Sequence, residues 1–357
     1  MPGCARSEIV EQGIVGVYHC WGRCVRRAWL CGIDPLTGTD YDHRRIWIRQ
    51  LQEQLAGLFA VEIEFHAEMS NHLHLVLRTR PDVVDTWSNE EVVRRMLTIN
   101  KLTQNLEGKA AGPTLAEQRL ALADSDQVTK FRERLSSPSW FMKSLRENIA
   151  RRANANDQTT GAFWDGRFRC RRLEDETAIL ICGIYVDLNQ VRAGEAATPE
   201  ESRYTSAFDR IAGREANAVD GGSTGPAPSP SAPDGWLGEL TIAPAKAADA
   251  DYQTRSRSGR RASDKGLFEL TLDHYLELLD WTGRQLREGK SGVIPNHLAP
   301  ILQRLKIRGD RWLDLITNFD RWFSHFVGHI DRLRDAASRT GRLWVRGARQ
   351  CAVAFLS

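Results

Sequence analysis

The alternation of apolar and polar residues predicts a small sheet with covering helices in the first 210 residues. Val61, Ile63, Phe65, Ala67 and Met69 alternate with polar side chains, and this period of two is typical of a half-buried strand. Ser70-Asn71 then connects to the apolar run at 72–79, so the two runs predict a hairpin. Apolar residues at helical spacing predict a helix over 43–59.

Capping signals and shorter patterns predict the remaining elements. Residues 88–91 (Ser-Asn-Glu-Glu) form a capping signal for a helix that runs to about residue 102. Acidic residues in the first turn and Gly194 after the last turn delimit a helix over 174–193. The other predictions are a strand over 14–24, a helix over 138–153 and a strand over 161–172. This order predicts an α+β fold with a ferredoxin-like antiparallel sheet and covering helices.

A segment without large apolar residues divides the chain. Residues 221–235 read GGSTGPAPSPSAPDG, a composition that is typical of a linker. We therefore predict a catalytic domain over 10–209, a flexible linker over 210–264 and a helical C-terminal domain over 265–357. On this division, a chain truncated near residue 209 is expected to fold and to remain active.

Composition restricts the class of protein. The chain has 357 residues, of which 41% are hydrophobic and 27% charged, as in folded globular proteins. It contains neither an apolar run of the roughly 18 residues that a membrane span needs nor an apolar signal-peptide core. We therefore expect a cytoplasmic protein without a membrane partner. Seven cysteines, an odd number without a CxxC pair, predict reduced thiols rather than a disulfide framework.

The distribution of charge indicates a polyanionic partner more strongly than the net charge of +3 does. Residues 131–172 contain ten Lys or Arg against four Asp or Glu, and residues 284–350 contain fourteen against six. Arg predominates in both regions, and Trp and Phe are interleaved with it. This pattern is typical of nucleic-acid binding, although solvated helix faces would also produce it.

Two histidines give the sharpest local chemical signal. His72 and His74 are separated by one residue on a predicted strand, so their imidazoles project from one face about 6.6 Å apart along it. Leu73, Leu75 and Leu77 point to the opposite face, where we expect the core. The pair could hold one metal ion, or it could be two polar residues on a solvent face.

Tyr185 and Asn189 form a second pair, four residues apart and therefore on one face of the predicted helix. A phenol and an amide would then reach the same site. Taken alone, the tyrosine is equally well explained as a core residue and the asparagine as a C-terminal cap.

Four segments in combination resemble a known family. They are MSNHLHLVL at 69–77, SWFMKSLRENIARRAN at 139–154, GAFWDGRFRCRRL at 161–173 and IYVDLNQVRAG at 184–194. Over about residues 14–208 the chain resembles the HUH-type single-tyrosine transposases, specifically the REP-associated tyrosine transposases. One position departs from the family pattern, because Gln190 stands where relatives usually have proline.

The resemblance implies a set of functional residues. His72, His74 and Asn189 would bind Mg²⁺ or Mn²⁺, with Gln190 as the alternative third ligand, and Tyr185 would be the nucleophile. It implies a 5′-phosphotyrosine link and a free 3′-hydroxyl, so that no nucleotide cofactor is required. The expected partner is single-stranded DNA, including repeat hairpins, and the sequence leaves a homodimer open. No residue in the sequence is evident as a general base.

Basic and aromatic residues are the candidates for DNA contact. The stacking and phosphate-binding candidates are Arg23, Arg26, Arg27, Trp164, Arg167, Arg169, Arg171 and Arg172.

The sequence also leaves open two alternatives to a DNA nicking and joining transposase. One is a ferredoxin-like nucleic-acid-binding protein that no longer cuts, and the other is a structural zinc protein. Cys20, Cys24, Cys31 and His19 have poor spacing for zinc, which favours buried thiols.

Overall fold

A computed structural model describes residues 5–25, 29–105, 112–219, 232–242, 256–288 and 297–355. The fold is mixed α+β, built around a sheet with the strand order β2-β3-β1-β4-β5. The first three junctions are antiparallel, and β5 pairs with β4 in parallel. The strands are β1 (Val17–Arg23), β2 (Val61–Glu68), β3 (His72–Thr79), β4 (Arg169–Leu173) and β5 (Phe326–Val327).

Helices cover both faces of this sheet and make up most of the C-terminal region. Two 3-10 turns, Pro199–Glu201 and Gly309–Arg311, lie between them. The helices are α1 (Arg6–Ile9), α2 (His43–Leu58), α3 (Pro81–Val84), α4 (Asn89–Gln104), α5 (Leu115–Leu122), α6 (Ser125–Leu135), α7 (Pro138–Asn156), α8 (Glu176–Asp187), α9 (Asn189–Ala193), α10 (Ser206–Val219), α11 (Leu272–Glu288), α12 (Ala299–Arg304), α13 (Trp312–Thr317), α14 (Phe319–Trp322), α15 (Ile330–Arg339) and α16 (Ala348–Ala354).

The hairpin of β2 and β3 and the helices α2, α4 and α7 confirm the predictions for those segments. Ser88 caps α4 by accepting a hydrogen bond from the backbone N–H of Glu91. Two predictions are wrong in extent. The strand predicted over 161–172 is limited to β4, and the helix predicted over 174–193 is divided at Leu188 into α8 and α9 before it ends at Gly194, whose φ of 73° suits glycine.

A bulge in β2 changes which side chains face the core. The pairing of β2 with β3 shifts between Ile63 and Phe65. Ile63 therefore packs with Leu73 in the cluster on one face, whereas Phe65 packs with Tyr185 in the cluster on the other face. A one-residue shift in a strand reverses the direction of every later side chain. The predicted single apolar face of this strand is therefore wrong.

The polar side chains of β2 are buried as well as its apolar ones, so the strand is not half-buried as predicted. Glu62, Glu64, His66 and Glu68 are all 0% exposed. Arg78 places its Nε 2.7 Å from a carboxylate oxygen of Glu62, and His66 lies between Glu68 and Asp209. Buried charge requires such partners, and these contacts provide them.

Parts of the predicted flexible linker are ordered. Residues 206–219 form α10, and Trp236 is 0% exposed. The backbone N–H of Gly238 donates to the carbonyl of Ile63, and the Ser263 hydroxyl donates to Glu62. The prediction of flexibility over 210–264 is therefore wrong for its described residues, because their apolar and hydroxyl side chains pack beside β2. Residues 220–231, with most of the Pro-Ser run, and residues 243–255 lie outside the described part.

The C-terminal helices share a core with the sheet. Trp312, Phe319 and Phe323 belong to the same buried cluster as Ile181 and Tyr185 of α8. Strand β5 also joins the sheet at its β4 edge, although only helices are predicted for 265–357. The boundary predicted at 264/265 therefore does not separate two cores. Within the described ranges, no helix combines the length and apolar character needed to cross a bilayer.

Candidate active site

The two histidines of the predicted pair lie side by side on β3. The ring centroids of His72 and His74 are 4.9 Å apart. Leu73 and Leu75, which alternate with them, are fully buried in the core on the opposite face. The alternation of the strand thus produces the shared imidazole face that the sequence predicts.

Each imidazole is held through its Nδ1 atom. Nδ1 of His72 is 2.7 Å from Oδ1 of Asn71, and Nδ1 of His74 is 2.8 Å from Nε2 of His19. This arrangement leaves the Nε2 atom of both rings for another partner. Metal-binding histidines are commonly oriented in this way, through a hydrogen bond to the ring nitrogen that does not bind the ion.

Both imidazoles are neutral at pH 7. Burial lowers the pKa of His72 to about 4, and the positive charge of Arg23 acts in the same direction. Burial, together with the neighbouring His19 and His72, lowers the pKa of His74 well below its usual value. A neutral imidazole has the free lone pair that a metal requires, so this pair fits a divalent ion.

Tyr185 projects from α8 toward the histidines. Its ring centroid lies 5.9 Å from that of His74 and 6.1 Å from that of His19, both edge to face. The guanidinium carbon of Arg192 lies 4.7 Å from the Tyr185 ring centroid. The structure therefore brings the predicted nucleophile and the histidine pair together.

Asp320 of α14 completes the surroundings of this tyrosine. The Tyr185 hydroxyl donates a hydrogen bond to Oδ2 of Asp320, and Nη2 of Arg171 is 3.0 Å from Oδ1 of the same carboxylate. Sequence reasoning missed Asp320, because it lies 135 residues after Tyr185 and belongs to no recognisable motif. Only a long-range contact could have revealed it.

In the pair formed by Tyr185 and Asp320, the proton is held by the tyrosine. Burial and the Asp320 carboxylate raise the pKa of Tyr185 above its usual value of 10. Burial alone would raise the pKa of Asp320 as well, but Arg171 and the hydrogen bond from Tyr185 outweigh it and lower that pKa. The resting site therefore contains a neutral phenol and an ionised carboxylate.

Asn189 and Gln190 differ in their surroundings. Asn189 is 8% exposed, and its amide nitrogen is buried without a hydrogen-bond partner among the described residues. An amide turned over at this position would present its oxygen instead, which fits a metal ligand. The side-chain amide of Gln190 donates to the carbonyls of Glu68 and Arg203. These bonds use only the amide nitrogen of Gln190, so the alternative that Gln190 replaces Asn189 as a ligand through its amide oxygen stays a prediction.

The histidine pair, Tyr185 and Asp320 line one open cavity of about 250 Å³. Asn189 is not part of its lining. The exposed Arg23, Arg167 and Arg169 lie at its rim. The lining residues are Trp21, Gly22, Arg23, His72, His74, Asp165, Arg167, Arg169, Tyr185 and Asp320.

The other predicted DNA contacts lie in different surroundings. Arg171 is 3% exposed and paired with Asp320, and Arg172 pairs with Glu11 at 2.8 Å. Trp164 is half-buried, and its indole N–H donates to the carbonyl of Arg146. These three side chains therefore support the site from within the fold. Arg26 and Arg27 lie outside the described residues.

The cysteines that the structure describes are not grouped as a metal centre. Cys20, Cys24 and Cys31 are buried free thiols, as the spacing favours. In the described part of the chain, no three or more His, Cys, Asp or Glu side chains are grouped so as to hold a metal ion. An ion at the histidine pair would therefore rely on imidazole and amide ligands, and the structure gives no support to a zinc protein.

Comparison with known proteins gives a structural match but no match in sequence. No protein-family model matches this chain, and no curated protein matches it either. A solved structure described as a REP-associated tyrosine transposase bound to a REP hairpin is similar to 59% of this chain and 86% of its own, with 11% sequence identity and a TM-score of 0.34.

Proposed function

We propose that this protein is a transposase that nicks and rejoins single-stranded DNA through a 5′-phosphotyrosine intermediate. The observation that carries the proposal is the convergence of Tyr185, His72 and His74 on one cavity with an arginine rim. A protein that only binds DNA has no need for a buried tyrosine beside two neutral imidazoles. The non-cutting nucleic-acid-binding protein is therefore the alternative that the experiments below must exclude.

Tyr185 supplies the nucleophilic oxygen in this reaction. Its hydroxyl attacks the phosphorus of a bound phosphodiester, the bond to the 3′-oxygen breaks, and the 5′-phosphate stays on the tyrosine. The energy of the phosphodiester is retained in the new bond. The free 3′-hydroxyl can consequently attack the phosphotyrosine and rejoin the strand without a nucleotide cofactor.

His72, His74 and Asn189 are the proposed ligands of a divalent ion. Bound Mg²⁺ or Mn²⁺ would neutralise the negative charge of the phosphate oxygens. The two imidazoles and the amide add no negative charge of their own, so they leave the ion able to attract a phosphate. Nitrogen ligands favour Mn²⁺ slightly over Mg²⁺.

The arginines at the rim provide the proposed path for the DNA backbone. Arg23, Arg167 and Arg169 are exposed beside the histidines, and guanidinium groups bind phosphates in two-pronged geometry. The strand order β2-β3-β1-β4, with all three junctions antiparallel, supports the ferredoxin-like catalytic fold that this function implies.

Covalent capture of DNA tests the proposal. Wild-type protein incubated with labelled single-stranded DNA and Mn²⁺ should form an SDS-resistant adduct. Tyr185→Phe should form none while binding DNA almost as tightly, because only the nucleophilic oxygen is lost. Tyr41→Phe, at a tyrosine that does not line the cavity, is the matched control and should form the adduct. DNA binding without any wild-type adduct would favour the non-cutting alternative.

Removal of the metal is the second test. EDTA should abolish the adduct, and His72→Ala or His74→Ala should do the same without unfolding the protein. Calorimetry with Mn²⁺ should detect weaker binding to both variants. Full cleavage in EDTA would contradict the metal site. It would not contradict the role of Tyr185 as the nucleophile, which the adduct experiment tests.

A further inference from the structure

The hydrogen bond between Tyr185 and Asp320 joins the proposed nucleophile to a residue of the C-terminal region. The phenolic O–H points at Oδ2 of the carboxylate. Within the described residues, the Tyr185 hydroxyl makes no other hydrogen bond. The rings of His19 and His74 contact the tyrosine ring in edge-to-face geometry.

Arg171 fixes the carboxylate in this position. Its Nη2 donates to Oδ1 of Asp320 at 3.0 Å, so each carboxylate oxygen has a different partner. The Arg171 guanidinium is itself held over the rings of Trp21 and Phe319, at 4.4 Å and 4.9 Å from their centroids. Asp320 is thus ionised, oriented and aimed at the atom that must lose a proton.

We propose that Asp320 is the general base that accepts the proton of Tyr185 as this tyrosine attacks DNA. This role rests on the proposed function. Attack on phosphorus requires the phenolic oxygen to lose its proton, and Asp320 is the positioned carboxylate within hydrogen-bond reach of that proton.

The O–H bond of Tyr185 breaks and its proton moves to Oδ2 of Asp320, while the phenolic oxygen forms a bond to phosphorus. The bond between phosphorus and the 3′-oxygen breaks with its electron pair, and that oxygen takes a proton from water. Asp320 returns its proton to solvent, so the net change is transfer of the 5′-phosphate from the 3′-oxygen to the tyrosine.

Single-turnover formation of the adduct tests this role. Asp320→Asn keeps the size of the side chain and removes its basicity, and it should slow the reaction by about 10²- to 10⁴-fold, the usual contribution of a general base. DNA affinity should stay the same or increase, because a negative charge has left the cavity. Asp331→Asn is the matched control, since that side chain is 83% exposed on α15.

Two further measurements separate basicity from mere positioning. Formate should restore activity to Asp320→Ala, where space for a small carboxylate is created, and should not restore it to Asp320→Asn. DNA with sulfur in place of the scissile 3′-oxygen has a leaving group that needs no proton. The loss in Asp320→Asn should persist on this substrate.

The outcomes are distinguishable. An undiminished or faster reaction in Asp320→Asn would overturn the role and would identify the contact as a restraint on Tyr185. Full activity of Asp320→Asn on the sulfur substrate would overturn it too, because Asp320 would then serve the leaving group. A wild-type protein that forms no adduct would instead overturn the proposed function and this role together.

Discussion

The Nε2 atom of His19 lies 2.8 Å from Nδ1 of His74, although 55 residues separate the two in the chain. Strands β1 and β3 create this contact. His19 pairs with Val76 in the register of the two strands, so His74 is its diagonal neighbour on the same face. The hydrogen bond fixes the rotation of the His74 ring, so Nε2 of His74 points away from His19.

Replacement of His19 should weaken metal binding even though His19 is not a proposed ligand. His19→Phe keeps a ring for packing against Trp21 but removes the nitrogen that holds His74. Loss of such an orienting partner typically reduces metal affinity by about 10- to 100-fold. Mn²⁺ titration by calorimetry measures the change. His43→Phe, at an exposed histidine of α2, is the control, and equal affinities in the two variants would refute the orienting role.

The arginine rim should account for part of the salt dependence of DNA binding. Each phosphate contact to single-stranded DNA contributes about 0.7 to the slope of log affinity against log salt concentration. Replacing Arg23, Arg167 and Arg169 together by Gln should therefore lower the magnitude of the slope by about 2. Binding titrations between low and moderate salt give this value. Arg334→Gln, whose side chain is 73% exposed on α15, should leave the slope unchanged if the rim is the DNA path.

A buried histidine of β2 should make stability depend on pH. Burial alone would lower the pKa of His66, but Glu68 and Asp209 outweigh it and raise the pKa to about 9. Because the pKa is raised above the unfolded value near 6.5, the stabilisation is fully present below about pH 6.5. It is lost as the pH rises through 9, and it amounts to about 3 kcal/mol.

Urea unfolding at pH 6.5 and pH 9.5 measures this contribution. Wild type should lose more free energy of unfolding between the two values than His66→Gln does, because glutamine cannot carry the charge. The exposed His43→Gln should behave like wild type. A wild-type curve parallel to that of His66→Gln would show that His66 is uncharged in the folded protein.

The shared core reverses the sequence-based expectation for truncation. A chain that ends at residue 264 loses the partners of Phe65, Ile181 and Tyr185 in the buried cluster. Such a chain should unfold without a sharp transition and bind a hydrophobic dye, as loosely packed states do. Thermal unfolding followed by near-ultraviolet circular dichroism checks this. A sharp transition in the truncated chain would contradict this and would support the prediction of an independent catalytic domain.

Single substitutions in the full chain provide a matched pair for the same question. Phe319 is 0% exposed, and Phe319→Ala should cost about 3 to 5 kcal/mol of unfolding free energy. Leu343 is 101% exposed, so Leu343→Ala should have almost no effect. Similar costs for the two changes would contradict a common core.

Short-range patterns explain which features could be predicted. The common face of His72 and His74 follows from strand alternation alone, and the helix position of Tyr185 follows from capping signals around it. The role assigned to Tyr185 came from a family resemblance. His19 and Asp320 could not be assigned, because their places depend on strand register and on the packing of α14 against α8. The bulge in β2 could not be predicted either, because nothing in the alternation of apolar and polar residues marks the position at which the pairing shifts.

The contact between Tyr185 and Asp320 also has a consequence for the newly made chain. Synthesis proceeds at about 5 to 20 residues per second, so the 135 residues between them take roughly 7 to 27 seconds. During that interval the tyrosine has been synthesised but the carboxylate beside it does not yet exist. A nascent chain therefore holds both histidines and the tyrosine before it holds Asp320, and the complete set assembles only when the C-terminal helices have docked.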